Sequence, residues 1–167
     1  MPIIALVHHS LPNKQLKLYG YAIGLSVSAI WRIMMKIITT GYALPIEKAL
    51  INILEKELSK IQLTEAQTVI FNFRNPSYSG TSGGYHPVEI MISPKGLIEY
   101  ITDFAFVGSL DTLELAKELD FDFANGLLEQ FGHCYAIENA WELFPVFVQN
   151  FCAYYNQGVF DVEVSHF

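Results

Sequence analysis

The sequence predicts an α+β domain: a mainly antiparallel sheet of about five strands packed on one face by two long helices. Two observations carry that expectation. Apolar residues recur at helical spacing in two stretches, 45–61 and 139–157, that lie on either side of the alternating runs. Between residues 67 and 107, runs of alternating polarity follow one another through loops too short for a parallel crossover helix. The order read is helix, three strands, short helix, strand, helix and strand, with short strand-to-strand loops, the pattern of an α+β layer architecture.

In the first helix, Ile46, Leu50, Ile53, Leu54, Leu58 and Ile61 form one apolar stripe opposite Glu and Lys, with Pro45 suited to the first turn. Strand 67–74 directs Val69, Phe71 and Phe73 one way and Thr68, Ile70, Asn72 and Arg74 the other. A glycine-rich loop follows. Strand 86–93 places Val88, Ile90 and Ile92 on one face, and Pro94-Lys95-Gly96 turns the chain into a long strand, 97–107. Strict alternation there sets Ile98, Tyr100, Phe104 and Phe106 against Glu99, Ile101 and Asp103. Residues 111–119 read as a short helix capped by Ser109 or Asp111, and 121–123 as a return to strand. Residues 125–137 read as an irregular loop. The second long helix spans 139–157, with Asn139 as its cap, Gly158 as its stop and an aromatic stripe of Trp141, Phe144, Val148, Phe151 and Tyr155. Pro145 bends this helix or marks its true start. Phe160, Val162 and Val164 alternate in a final strand.

Composition narrows the function classes. With 167 residues and 51% apolar content, the chain builds one folded domain. Its net charge of -7 argues against a nucleic-acid partner, which needs a basic face. Residues 1–34 hold Lys14, Lys17 and Arg32 and no acid, so all 17 acids and seven bases fall in 35–167. The expected division is an N-terminal extension, 1–34, and a single domain, 35–167. The extension reads best as the product of a mis-assigned start, with Met34-Met35 opening the real domain, or as a tail. The alternatives are a signal-like segment ending near Val27-Ser28-Ala29, and a membrane anchor. For the anchor the apolar run 18–31 is short of the ~20 residues a span requires. The domain is accordingly read as cytoplasmic, with export the alternative. Cys134 and Cys152 form no metal-binding spacing with the five His, and neither metal nor cofactor is expected.

Three stretches, FNFRNPSYSGTSGGYHPVEI, YITDFAFVG and ELDFDF, together with Glu142-Leu143-Phe144 and the aromatic run from Asn150 to Phe160, resemble a bacterial family known as domain of unknown function 2787. The resemblance runs from about Gly41 to the end. Asn75, Thr81 and Ser82 depart from the family pattern, which has acidic residues there. The resemblance implies a compact bacterial domain and brings no activity, cofactor or catalytic residue.

Gly80-Thr81-Ser82-Gly83-Gly84 matches G-x-S-x-G, which matters when a strained strand-to-helix turn exposes the serine. Here a strand follows, so the segment reads as a glycine-permitted loop. A phosphate loop is excluded by the missing Gly-Lys-Ser/Thr and helix. Candidate binding residues are Arg74, Tyr78, Tyr85, His86 and Asp103. Tyr78 stands on the loop; Arg74 and Asp103 project from the face opposite the apolar rows; His86 opens a strand. No catalytic residue is assigned. Glu89, Glu99, Asp103, Asp161 and Glu163 are expected on one acidic sheet face, a surface for solvent or for a basic partner. The expected function is that of a non-enzymatic binding or accessory protein using the 75–86 loop and this face, with a protein or small-molecule partner. The alternative is a small hydrolase using His86 and Asp103.

Overall fold

A computed structural model describes residues 36–61, 63, 67–109 and 111–167. The expectations placed on residues 1–34 lie outside them. The elements are helix α1 (Lys48–Leu58), strands β1 (Val69–Arg74), β2 (Val88–Ile92), β3 (Ile98–Val107), β4 (Glu114–Asp122), β5 (Leu127–Gln130) and β6 (His133–Ala136), a 3-10 turn (Ile137–Ala140), helix α2 (Leu143–Asn156) and strand β7 (Asp161–His166). The sheet has seven strands in the order β6-β5-β4-β3-β2-β1-β7, and every neighbouring pair is antiparallel. The α+β class and the two covering helices stand; the expected five strands become seven.

The added strands come from one region. Residues 111–119, read as a helix, are most of β4. Thr112 donates its backbone N–H to the Ser109 carbonyl, and the Ser109 N–H bonds to Thr112 Oγ1 at 3.3 Å, so the expected cap closes a turn instead. Leu-, Ala- and Glu-rich sequence has helical propensity, but unpaired edges of β3 and β5 on either side capture it as strand. The irregular stretch 125–137 is the β5–β6 hairpin followed by the 3-10 turn. Phe131 and Gly132 make its two-residue connection, both at positive φ (49° and 77°) as a tight hairpin requires. Asn139 falls within the 3-10 turn and caps nothing. Pro145 lies in the first turn of α2, where a missing N–H costs little. Pro45 precedes α1 rather than opening it.

The core lies between the helices and one face of the sheet. Val69, Phe71 and Phe73 of β1 pair with Ile92, Ile90 and Val88 of β2, and all six are buried. The same face continues through Ile101, Phe121 and Leu128. Helix α2 crosses the sheet: Phe144 and Phe147 pack on Phe121 of β4, while Phe151 and Tyr155 pack on Phe73 of β1. Helix α1 buries Leu50, Ile51, Ile53, Leu54 and Leu58 beside it. The segment before α1 belongs to the same core through Ile37 and Leu44, each 1% exposed. Among the described residues no helix is long and apolar enough to cross a membrane.

Two bulges break strict alternation and decide where the functional side chains point. Ile92 pairs with Ile98 but Met91 with Tyr100, so Glu99 is an extra residue in β3. Beyond it, Ile101 and Asp103 face the helices while Tyr100 and Thr102 face away. This corrects the expected grouping of Ile98 with Tyr100 and of Asp103 with Arg74. The second bulge lies where Asp103 pairs with Leu119 but Phe104 with Lys117, leaving Glu118 extra in β4.

Candidate functional site

The loop between β1 and β2 is built from its own polar groups. The Ser77 N–H and hydroxyl both bond to Asn75 Oδ1, and Asn75 Nδ2 donates to the Val159 carbonyl at 2.7 Å. Asn75 thus closes an Asx turn and ties the loop to the chain entering β7. Ser79 and Gly83 exchange backbone hydrogen bonds across the tip. The Ser82 hydroxyl contacts Ser79 Oγ at 2.7 Å and reaches the Gly83 carbonyl at 3.4 Å. It is engaged within the loop and, among the described residues, bonds to no histidine, so the G-x-S-x-G match reads as a turn.

Past the tip the loop folds against the sheet. The Tyr78 ring lies 5.2 Å from the His86 ring and 5.3 Å from that of Phe106, and its hydroxyl accepts the Phe106 N–H at 3.1 Å. Tyr85 packs edge-on against Tyr154 of α2 at 4.7 Å. Tyr78 and Tyr85 are therefore both half-buried and packed as supports of the loop.

His86 meets two carboxylates. Its Nδ1 stands 3.1 Å from Asp103 Oδ2 and 2.8 Å from Glu118 Oε2. Each residue arrives from a different element: His86 from the entry to β2, Asp103 from β3 opposite Val88, and Glu118 from the β4 bulge. The bulge is what makes the third contact. Regular alternation would send Glu118 away from the face shared by Leu119 and Asp103; the extra residue turns it toward them. Burial pushes the Asp103 carboxyl up to about 6; the hydrogen bond and charge of His86 oppose that rise, and the adjacent Glu118 adds to it. The cluster lies at the end of the helix-covered face. Its side chains are 37%, 11% and 23% exposed for His86, Asp103 and Glu118, so it is open to solvent on the histidine side.

Of the sequence-expected site residues, His86 and Asp103 come together with Tyr78 beside them. Arg74 does not join them: it is exposed on the opposite face, across from Asp161 of β7. Glu118 was missed, because a helix was expected there. A signal was present: the three stretches that carry the family resemblance each contain one member of the cluster, His86, Asp103 and Glu118.

The face turned away from the helices is acidic, with different members from those expected. Glu89, Asp161 and Glu163 lie on it, and register adds Asp120, Asp122 and Glu129. Asp103 is on the other face, and Glu99 is the bulged residue whose charge reaches Tyr42. At the centre, Asp120 accepts from Thr102 Oγ1 at 2.7 Å and from Lys117 Nζ at 2.5 Å. Tyr100 donates to Glu89 Oε1 at 2.6 Å; burial, then that bond and its charge, drive the Tyr100 hydroxyl well above its ordinary range. Asp120 also raises the Lys117 ammonium through their hydrogen bond.

A seven-stranded antiparallel sheet with two helices on one face, and a loop folded over a His–carboxylate cluster, defines a small α+β domain. The profile of a protein family of unknown function, DUF2787, matches residues 48–165, and the chain belongs to that family. Two solved structures, both from Vibrio cholerae, are similar. One is a hypothetical protein from the VSP-II pathogenicity island, with TM-score 0.67 and 34% identity, covering 77% of this chain and 99% of its own. The other, a conserved hypothetical protein from pathogenicity island VPI-2, is described as sharing structural homology with the human P32 protein. It gives TM-score 0.61 and 36% identity, covering 77% of this chain and 100% of its own. No curated protein matches the sequence.

Proposed function

We propose that the domain is a non-enzymatic binding or accessory module that recognises a basic segment of a protein partner, using the acidic sheet face and the 75–86 loop. One observation supports this above others: Glu89, Asp120, Asp122, Glu129, Asp161 and Glu163 share a sheet face on which Lys117 and Arg74 are the described bases. A predominantly acidic face of this kind generates a field that steers cationic partners. The test is titration with a synthetic Lys/Arg-rich peptide followed by amide chemical shifts. Shifts confined to the 75–86 loop and to β1, β2, β4, β5 and β7, weakened by salt and by Asp161→Lys with Glu163→Lys, support the reading. Unchanged spectra, or binding insensitive to both, overturn it.

A second reading, a small hydrolase using His86 and Asp103, draws on the 3.1 Å contact between them and the raised Asp103 carboxyl. Ester hydrolysis that disappears in His86→Ala would establish it in place of the first.

A further inference from the structure

We propose that His86, Asp103 and Glu118 form a binding site for one divalent transition-metal cation of the Zn²⁺ or Mn²⁺ class. This goes beyond the recognition surface above: Asp103 and Glu118 lie on the helix-covered face, opposite the acidic one, and His86 at the end of the 75–86 loop is the residue the two share.

The geometry is that of a ligand set drawn slightly tight. One donor atom from each residue lies within 4.8 Å of the others, and Nδ1 stands 2.8 and 3.1 Å from the two carboxylate oxygens. Ligands about 2.1 Å from a cation are separated by roughly 3.0 Å in an octahedral cis arrangement and roughly 3.4 Å in a tetrahedral one. Opening the two nitrogen–oxygen distances by a few tenths of an ångström, with the two carboxylate oxygens, which lie within 4.8 Å of each other, turning to the same spacing, converts the observed cluster into a coordination shell.

The donor chemistry selects the ion. One imidazole and two carboxylates suit Zn²⁺ or Mn²⁺, whereas Ca²⁺ and Mg²⁺ favour all-oxygen shells. A cation between Nδ1 and the two carboxylates would take the place of any proton on that nitrogen, and its charge would offset their mutual repulsion. That proton leaves to solvent, or the imidazole takes its other tautomer with Nε2 protonated.

The surroundings fit as well. Asp103 and Glu118 sit at the β3–β4 bulge, whose pairing fixes their backbones, and His86 adjoins Pro87, whose carbonyl accepts the Phe104 N–H at 3.0 Å. The Tyr78 ring, 5.2 Å away, holds the imidazole in orientation. The exposed side of His86 gives an ion entry and leaves coordination positions for water or for an acidic or imidazole group of a partner.

The test uses the full chain carrying His8→Ala and His9→Ala, which removes the adjacent histidine pair as a competing ligand. It is stripped with chelator and titrated calorimetrically with ZnCl₂ and with MnCl₂. Expected are one saturable site for at least one of the two ions and a weakening of about tenfold or more in Glu118→Gln and in His86→Ala. Crystals soaked in the same ion should show an anomalous peak between the three residues, a readout that does not depend on any variant folding. Absence of saturable binding, equal affinity in the variants, or a peak elsewhere each overturns the proposal. None of these outcomes bears on the basic-peptide titration.

Discussion

The hydroxyl of Tyr78 accepts the backbone N–H of Phe106 at 3.1 Å, while the Tyr78 ring sits against both His86 and Phe106. One side chain therefore fastens the β1–β2 loop to β3 and also braces the histidine of the cluster. Tyr78→Phe keeps the ring and removes the acceptor. The expected loss is about 1 kcal/mol of stability, together with faster hydrogen exchange at the Phe106 amide, read by denaturant unfolding and NMR. Unaltered exchange at Phe106 would show that the loop is held by ring packing alone.

Glu57 of α1 is 2% exposed, receives the Tyr155 hydroxyl of α2 and holds Lys60 Nζ at 2.7 Å. Burial, then the bond to Glu57 and its charge, push the Tyr155 hydroxyl up to about 12 from 10.0, with Lys60 opposing. The folded state therefore retains this proton where the unfolded chain has lost it. The stability it contributes is fully present below the unfolded value near 10 and is lost as pH rises through about 12. Unfolding titrations across that window should show a steep alkaline loss that Tyr155→Phe flattens. At neutral pH the same variant should cost about 1–3 kcal/mol, because Glu57 keeps only its lysine.

Gly96 turns the chain from β2 to β3 at φ 82°, and a Cβ there would stand 2.2 Å from the Lys36 carbonyl oxygen. Its own carbonyl accepts the Ile38 N–H at 2.8 Å, which anchors the segment carrying buried Ile37. Gly96→Ala combines a left-handed backbone with a backbone clash. About 2 kcal/mol or more of destabilisation is expected in thermal or denaturant melts. A neutral outcome would mean that 36–38 can leave the core at little cost.

Cys134 is exposed on β6, whereas Cys152 is buried in α2 and its thiol is pushed up to about 11 by burial, with Glu47 adding to the rise. A thiol reagent at neutral pH should label Cys134 rapidly and Cys152 only on unfolding, in a ratio that mass spectrometry reads directly. Equal labelling of both would contradict the packing of α2.

The strands and helices with clean periodicity were legible. The stripe of α1, the strands β1, β2, β3 and β7 and the aromatic face of α2 follow from spacing alone, as does the glycine turn at 96. What failed has two physical causes. Residues 111–119 have helical propensity, and only the waiting edges of β3 and β5, distant in sequence, make them a strand. Alternation counted along 97–107 assumes a perfect pleat, and a single extra residue at Glu99 reverses every face beyond it. The candidate site inherits both errors. His86 and Asp103 were found as residue types, but Asp103 was assigned to the wrong face beside Arg74, and Glu118 was hidden in the expected helix.

The strand order also fixes a sequence of events during synthesis. Strands β2 to β6 are joined as a meander, each pairing with a neighbour made moments before. Strand β1 is different: Val69 pairs with His166 of β7, so its second edge is closed only after β2 to β6 and α2 have been made. Until α2 and β7 have left the ribosome, β1 presents an open apolar-flanked edge to whatever is nearby. Closure of that long-range pair is the contact-order penalty of this topology, and it sets the interval in which the nascent chain is most exposed to mispairing.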